Sequence, residues 1–256
     1  MWLISDKDKV FLNEARKIKK AQRELANAYH NKTLVLIVGN GPSQSAVFLD
    51  AQARGVESSN VGWASAILRA ACNANAPEDL RSKEHNSLAL AQAVFRQLDD
   101  KDASRRMILE ELRYEFRRPI KPTVIHKLLV DLAPSGIVTT NYDLQIERAF
   151  EEQNNPWCAL VRNVQDEPEG QFTPILKMHG TLEPDDQCRN KYSYAISPSW
   201  DDDPERSVVI SETDYDECLY ELMRTPESPL LRVLGQPCLI IGKSVPWQDL
   251  SFLYAL

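Results

Sequence analysis

The sequence predicts an α/β fold: a parallel sheet with helices on both faces and a helical insertion after the first strand. Three observations carry this. Short apolar runs at 33–38, 136–140, 173–178 and 238–241 have the length and aliphatic content of buried strands. Segments with helical spacing lie between them, and strand–helix alternation marks a parallel sheet. The runs are followed by Gly, Asn, Ser or His residues, and open parallel sheets bind ligands beyond the carboxyl ends of their strands.

Taken in order, residues 6–30 repeat Val10, Phe11, Ala15, Ile18 and Leu25 near helical spacing. Thr33 to Val38 is a continuous apolar run ending at Gly39 and reads as a buried strand. Residues 45–130 contain no comparable strand. Their Ala/Leu/Arg-rich segments at 62–75, 86–99 and 103–117 predict a helical insertion, closed by Pro119 and Pro122. A helix at 122–132, the strand at 136–140 and a helix at 143–153 resume the alternation. Residues 157–162 read as a short strand, 173–178 as a strand, 206–210 as another short element, 183–205 as polar loop, and 212–224 as a helix. The strand Cys238 to Ile241 ends in Gly242-Lys243-Ser244. The arrangement is Rossmann-like. A last helix is expected near Trp247, where Phe252, Leu253 and Leu256 lack a cover, so further domains are expected beyond it.

Composition excludes several classes. The 256 residues are 43% hydrophobic and 26% charged, ordinary for a globular chain. A net charge of −7 argues against a general nucleic-acid surface. The basic cluster Arg105, Arg106, Arg113, Arg117, Arg118 and Lys121 is interleaved with Glu110, Glu111 and Glu115 and reads as a solvated helix face. No run approaches the ~20 apolar residues of a membrane span, and residues 1–20 lack the apolar core of a secretory signal. Five cysteines (Cys72, Cys158, Cys188, Cys218, Cys238) never form a C-x-x-C pair. They fit a reducing cytoplasm and are expected as small core residues.

Four motifs carry chemistry. Gly39-Asn40-Gly41-Pro42-Ser43 follows the first strand, where glycines let the backbone approach an anion; a simple tight turn fits the same residues. It is not the dinucleotide fingerprint of dehydrogenases, because Gln44 stands where the third glycine belongs. Gly242-Lys243-Ser244 lacks the spacing of a Walker A loop. Thr139-Thr140-Asn141-Tyr142-Asp143 offers a neutral amide that can hold water or a ribose hydroxyl. Its Asp143 can accept from a ligand amide or cap the following helix. His179-Gly180 ends the strand at 173–178; His179 can be a base or a structural histidine.

In this order the motifs resemble the sirtuin (Sir2) family: glycine loop with Ser, T-Q-N-I-D, catalytic H-G, and late G-[TS]-S. Most similar are the Sir2-like domains of bacterial anti-phage defence proteins, with T-T-N-Y-D, K-x-H-G, and an acidic D-Y element like Ser211 to Tyr215. The resemblance spans roughly residues 33–255 outside the insertion. It implies that Gly39, Asn40, Gly41 and Ser43 cradle NAD phosphates, with Gly242 and Ser244 at the ribose-phosphate portion. It places Asn141 at the nicotinamide ribose and a water, Asp143 at the carboxamide, and His179 as general base toward the ribose hydroxyls, with Thr140 also among the cofactor-binding residues. Asn141 and His179 are thus the implied catalytic pair.

Two departures refine the expected activity. Family deacetylases carry two C-x-x-C pairs for zinc between H-G and the last strand; Cys188, Cys218 and Cys238 cannot supply them. They also carry G-I-P-D-F-R and F-G-E segments, where this chain has Gln44 to Leu49 and no counterpart. Water is then the expected acceptor, and the expected reaction is NAD+ hydrolysis to nicotinamide and ADP-ribose, without zinc. The expected setting is a cytoplasmic defence effector controlled by homo-oligomerisation, a regulatory partner or a fused domain. A silent NAD- or ADP-ribose-binding module and a protein deacylase are the alternatives.

Overall fold

The computed structural model describes residues 6–53, 55, 63–75, 78, 87–97, 101–116, 120–162, 170–182, 191–194, 208–224 and 229–242. Helix α1 (Asp6–His30) leads into β1 (Val35–Val38), and α2 (Gly41–Ala53) follows at once. The insertion contributes α3 (Trp63–Asn73), α4 (Ser87–Gln97) and α5 (Lys101–Phe116). The alternation resumes with α6 (Val124–Asp131), β2 (Gly136–Thr139), α7 (Gln145–Glu152), β3 (Trp157–Val161) and β4 (Thr173–Lys177). Then come β5 (Tyr192–Tyr194), α8 (Glu212–Arg224), α9 (Pro229–Leu234) and β6 (Cys238–Ile241). Among the described residues no helix is long and apolar enough to cross a membrane.

The six strands pair in the order β5-β3-β4-β2-β1-β6, and every ladder is parallel. Alternation of side chains across the pleat divides the apolar residues between two faces. Leu36, Val38, Ile137, Ala159 and Ile175 point to one face, where Ala28 of α1, Leu129 and Val130 of α6, and Ile146 and Phe150 of α7 cover them. Val35, Ile37, Val138, Leu160 and Leu176 point to the other, with Tyr215 and Cys218 of α8 and Val233 and Leu234 of α9. Both faces are therefore buried, which is why these strands read as continuous apolar runs rather than alternating ones.

The insertion has a core of its own. Ala66, Ile67, Ala70 and Ala71 form one face of α3, and their small side chains let it pack on Leu90 and Val94 of α4 and Ile108 and Leu112 of α5. Leu182, Val208 and Ile210 extend that core toward the sheet edge. Arg69 ties α3 to α5 through Glu111 at 2.7 Å and Glu115 at 3.1 Å.

Several expectations need correction. The segment at 206–210, described from Val208 onward, is buried but not a strand; its polar backbone is satisfied by other partners. The span 183–205 includes a short edge strand, β5, which pairs with β3. The glycine motif is not only a loop, because α2 begins inside it at Gly41. Cys158 and Cys218 are buried as expected, but Cys72 is exposed and Cys238 is half-buried, where burial raises its thiol pKa. Cys188, Arg117, Arg118 and the helix expected near Trp247 lie outside the described residues.

Arg105 is not part of a solvated face. Its Nη1 donates to Asp214 at 3.1 Å and its Nη2 donates to the Val208 carbonyl. Asp214 in turn accepts from the Ile210 and Ser211 amides at 2.9 and 3.1 Å, ahead of α8. Arg105 thus clamps the insertion to the 208–214 segment. Both side chains are less than one-fifth exposed (16% and 18%), so solvent screens the pair only partly. Arg105→Leu is expected to cost about 1.5–3 kcal/mol, read as a lower urea midpoint with an unchanged slope.

Candidate functional site

Sheet register sets the height of the site. Ile241, Val38, Thr139 and Lys177 are the final paired residues of β6, β1, β2 and β4, and they lie in one row across the sheet. The segments that follow, at Gly242, Gly39, Thr140 and Met178, therefore leave the same carboxyl edge side by side. Backbone bonds carry the row a step further, from the Gly39 amide to the Ile241 carbonyl and from the Met178 amide to the Thr139 carbonyl, each at 2.9 Å.

Gly41 and Gly242 meet backbone to backbone. The Gly41 amide donates to the Gly242 carbonyl at 2.7 Å. A Cβ on Gly41 would lie 2.8 Å from that oxygen, and one on Gly242 would lie 2.4 Å from Pro42 Cδ. Gly242 also has φ +63°, a conformation that favours glycine. The start of α2 directs the positive end of its helix dipole to this edge, where an anionic phosphate is favoured.

Asn141 organises the neighbouring strand end. Its Nδ2 donates to the Gly39 carbonyl at 3.1 Å and to Ser43 Oγ at 3.0 Å. Its own amide donates to Thr139 Oγ1 at 3.1 Å, and that hydroxyl donates to the Val38 carbonyl at 2.9 Å. Gly39, Ser43 and Asn141 are all buried, Gly41 and Thr140 are half-buried, and Asn40 is exposed. Ser43 is thus a buried acceptor for Asn141. Asp143 is buried, and its Oδ1 accepts the Gln145 amide at 3.0 Å as α7 begins. The helix-start role is therefore filled, by a side chain that also lies at the crevice edge.

His179 leaves β4 beside this group and is half-buried. Its ring lies between Tyr142, at 6.4 Å between centroids, and Tyr215, edge-on at 5.8 Å. Its carbonyl accepts the Val209 amide at 2.9 Å. Tyr142 donates its hydroxyl to the Val209 carbonyl and stacks on Trp63 of the insertion at 4.9 Å. The histidine therefore lies against two aromatic rings, with Trp63 stacked on the Tyr142 ring.

Residues 135–253 match the family described as SIR2-like domain. Over those residues the chain is Sir2-like. No curated protein matches the chain. The matched span includes Asn141, Asp143, His179 and Gly242; the glycine motif after β1 lies ahead of it, yet β1 pairs with β2 on one side and β6 on the other. The matched residues and β1 thus share one sheet. Sir2-like domains bind NAD+ and the superfamily includes NAD-dependent enzymes, so the function is NAD-related.

Of the residues expected at the site of the Sir2-like domain, Gly39, Gly41, Ser43, Thr140, Asn141, Asp143, His179 and Gly242 converge on one edge; Asn40 is there too, facing solvent. Ser244 lies outside the described residues. No group of three or more His, Cys, Asp or Glu side chains among the described residues could hold a metal ion. Trp63, Arg105 and Lys177 have no place among the residues expected here from the sequence. For Trp63 and Arg105 no local pattern signals it. Lys177 had a signal, as a lone cation inside an otherwise apolar strand run.

A second histidine stands behind the site. His126 is fully buried, and its Nδ1 accepts the Thr123 amide at 3.2 Å in a capping box that starts α6. Burial holds its pKa below the ordinary 6.5, against the opposing pull of Asp143. The unfolded chain takes up this proton near 6.5 and the folded chain only at lower pH, so stability is full above about 6.5 and falls as pH drops below it. His126→Gln should flatten that fall, measured as urea stability on either side of about pH 6.5.

Proposed function

We propose that the Sir2-like domain is an NAD+ hydrolase. The observation that carries this reading is the single hydrogen-bonded edge made by Gly39, Ser43, Asn141 and the Gly41–Gly242 contact, with His179 alongside. A backbone cradle with no room for a Cβ, at a helix N-terminus, suits a diphosphate. Asp143 then binds the nicotinamide carboxamide, Thr140 and Asn141 the adjoining ribose, and Gly242 and Ser244 the ribose-phosphate portion.

The bond that breaks joins ribose C1′ to the pyridinium nitrogen. Its electron pair leaves with nicotinamide, which departs neutral, and C1′ becomes oxocarbenium-like. Water forms the new C1′–O bond and a proton is released, giving ADP-ribose, nicotinamide and H+. Such a transition state needs positioned dipoles and a base more than a strong nucleophile. His179 serves as that base toward the ribose hydroxyls.

In this reading the chain is one NAD-binding domain with a helical insertion at about 45–130. It works in the cytoplasm as an anti-phage effector that depletes NAD+. Its activity is held low until a homo-oligomer, regulatory partner or fused domain triggers it. The test is nicotinamide release from NAD+ by the protein alone and assembled with candidate partners, beside calorimetry of NAD+ binding. Release in any state supports hydrolysis. Binding without turnover in every state would favour the silent module, and absence of both would end the proposal.

A further inference from the structure

Lys177 is the last residue of β4, two positions before His179, and is only 1% exposed. Its ammonium donates to the Asp143 carbonyl at 2.6 Å and to Glu147 Oε1 at 2.7 Å. We infer that Lys177 is a positioning residue, tethering the Asn141–Asp143 segment to the strand that carries His179. The inference rests on the proposed role of Asp143 at the nicotinamide end, and it gives that role a mechanical support.

Burying a cation is costly unless it is paired and hydrogen-bonded. Glu147 supplies the countercharge from the first turn of α7, and Tyr192 of β5 donates to the same oxygen at 3.3 Å. A buried ion pair by itself is often no more stable than an apolar pair of similar volume. What an apolar pair could not reproduce is the bond to the Asp143 carbonyl. That carbonyl belongs to the peptide just after the Asp143 side chain, whose Oδ1 is already held by the Gln145 amide. Asp143 is therefore fixed from both sides, and the hold from β4 comes from Lys177. One side chain thereby links the two motifs on neighbouring strands.

Lys177→Met alone would leave the Glu147 carboxylate buried without its partner and risks misfolding. The informative variant is Lys177→Met/Glu147→Leu, which removes charge and countercharge together. The expected result is a melting temperature within a few degrees of wild type, with hydrogen exchange over residues 140–148 about tenfold faster. NAD+ affinity should fall about tenfold, while ADP-ribose, which lacks nicotinamide, binds as to wild type. Glu147→Gln keeps the ammonium on the Asp143 carbonyl and should keep exchange slow in this segment; it decides the matter if the double variant does not fold. Wild-type exchange in a folded double variant, fast exchange in Glu147→Gln, or equal loss of NAD+ and ADP-ribose would overturn the inference. If wild-type protein binds neither ligand, the proposed function fails, and the exchange measurements still decide the tether.

Discussion

Asn141→Asp should sharply reduce NAD+ turnover and destabilise the fold more than Asn141→Ala does. The side chain is 5% exposed and both of its observed amide bonds are donated, to the Gly39 carbonyl and to Ser43 Oγ. Alanine leaves two buried acceptors short of a donor, a cost of about 1–3 kcal/mol. Aspartate is nearly isosteric but turns the donor into an acceptor facing a carbonyl oxygen. The Ser43 hydroxyl can rotate to donate; the Gly39 carbonyl cannot. Urea unfolding should rank wild type above Asn141→Ala above Asn141→Asp. Nicotinamide release should drop by roughly two to three orders of magnitude in both variants. Equal stability of all three proteins would show that the Asn141 amide does not hold the glycine motif.

Gly41→Ala and Gly242→Ala should each separate the ends of β1 and β6. For Gly41 the obstacle is backbone, the Gly242 carbonyl oxygen at 2.8 Å and Cα at 2.9 Å, so no rotamer change can relieve it. For Gly242 the added carbon meets the Pro42 ring at 2.4 Å, and the positive φ adds about 1–2 kcal/mol of its own. Gly55 is the internal control: its φ is +69° and nothing lies within 4 Å of a Cβ placed there. Gly55→Ala therefore measures the strain of the conformation alone. Gly242→Ala should lower the urea midpoint clearly more than Gly55→Ala, and only Gly242→Ala and Gly41→Ala should weaken NAD+ binding. A Gly242→Ala protein that matched Gly55→Ala in both measurements would remove the close approach from the argument.

The strands that position the site were legible because burial on both faces turns them into unbroken apolar runs, as at Leu34 to Val38; Cys238 to Ile241 is as apolar, although it is only half-buried and Ile240 is exposed. The motif residues were legible because they sit where those runs stop. Val208 to Ile210 misled for a physical reason. The segment is as apolar and β-branched as a strand, but its carbonyls are taken by Arg105 and Tyr142, and the Val209 amide by the His179 carbonyl. Periodicity registers burial, not which partner satisfies the backbone. Strand β5 was hidden by the opposite effect, since an edge strand of three residues needs no apolar run. The Trp63 stack and the Arg105 clamp join residues far apart in the chain, and no local pattern encodes such contacts. For Asp143 the sequence left a ligand contact and a helix start both open, and the bond from the Gln145 amide fills the helix-start role.

Hydrolysis by this edge of the sheet is tested most directly by product analysis of NAD+ turnover in wild-type and His179→Ala protein, with no acyl substrate present. Nicotinamide and ADP-ribose should appear in equal amounts with wild type, and His179→Ala should be slower by roughly two to four orders of magnitude. Nicotinamide release that requires an acetyl-lysine peptide, or equal rates from the two proteins, would contradict it.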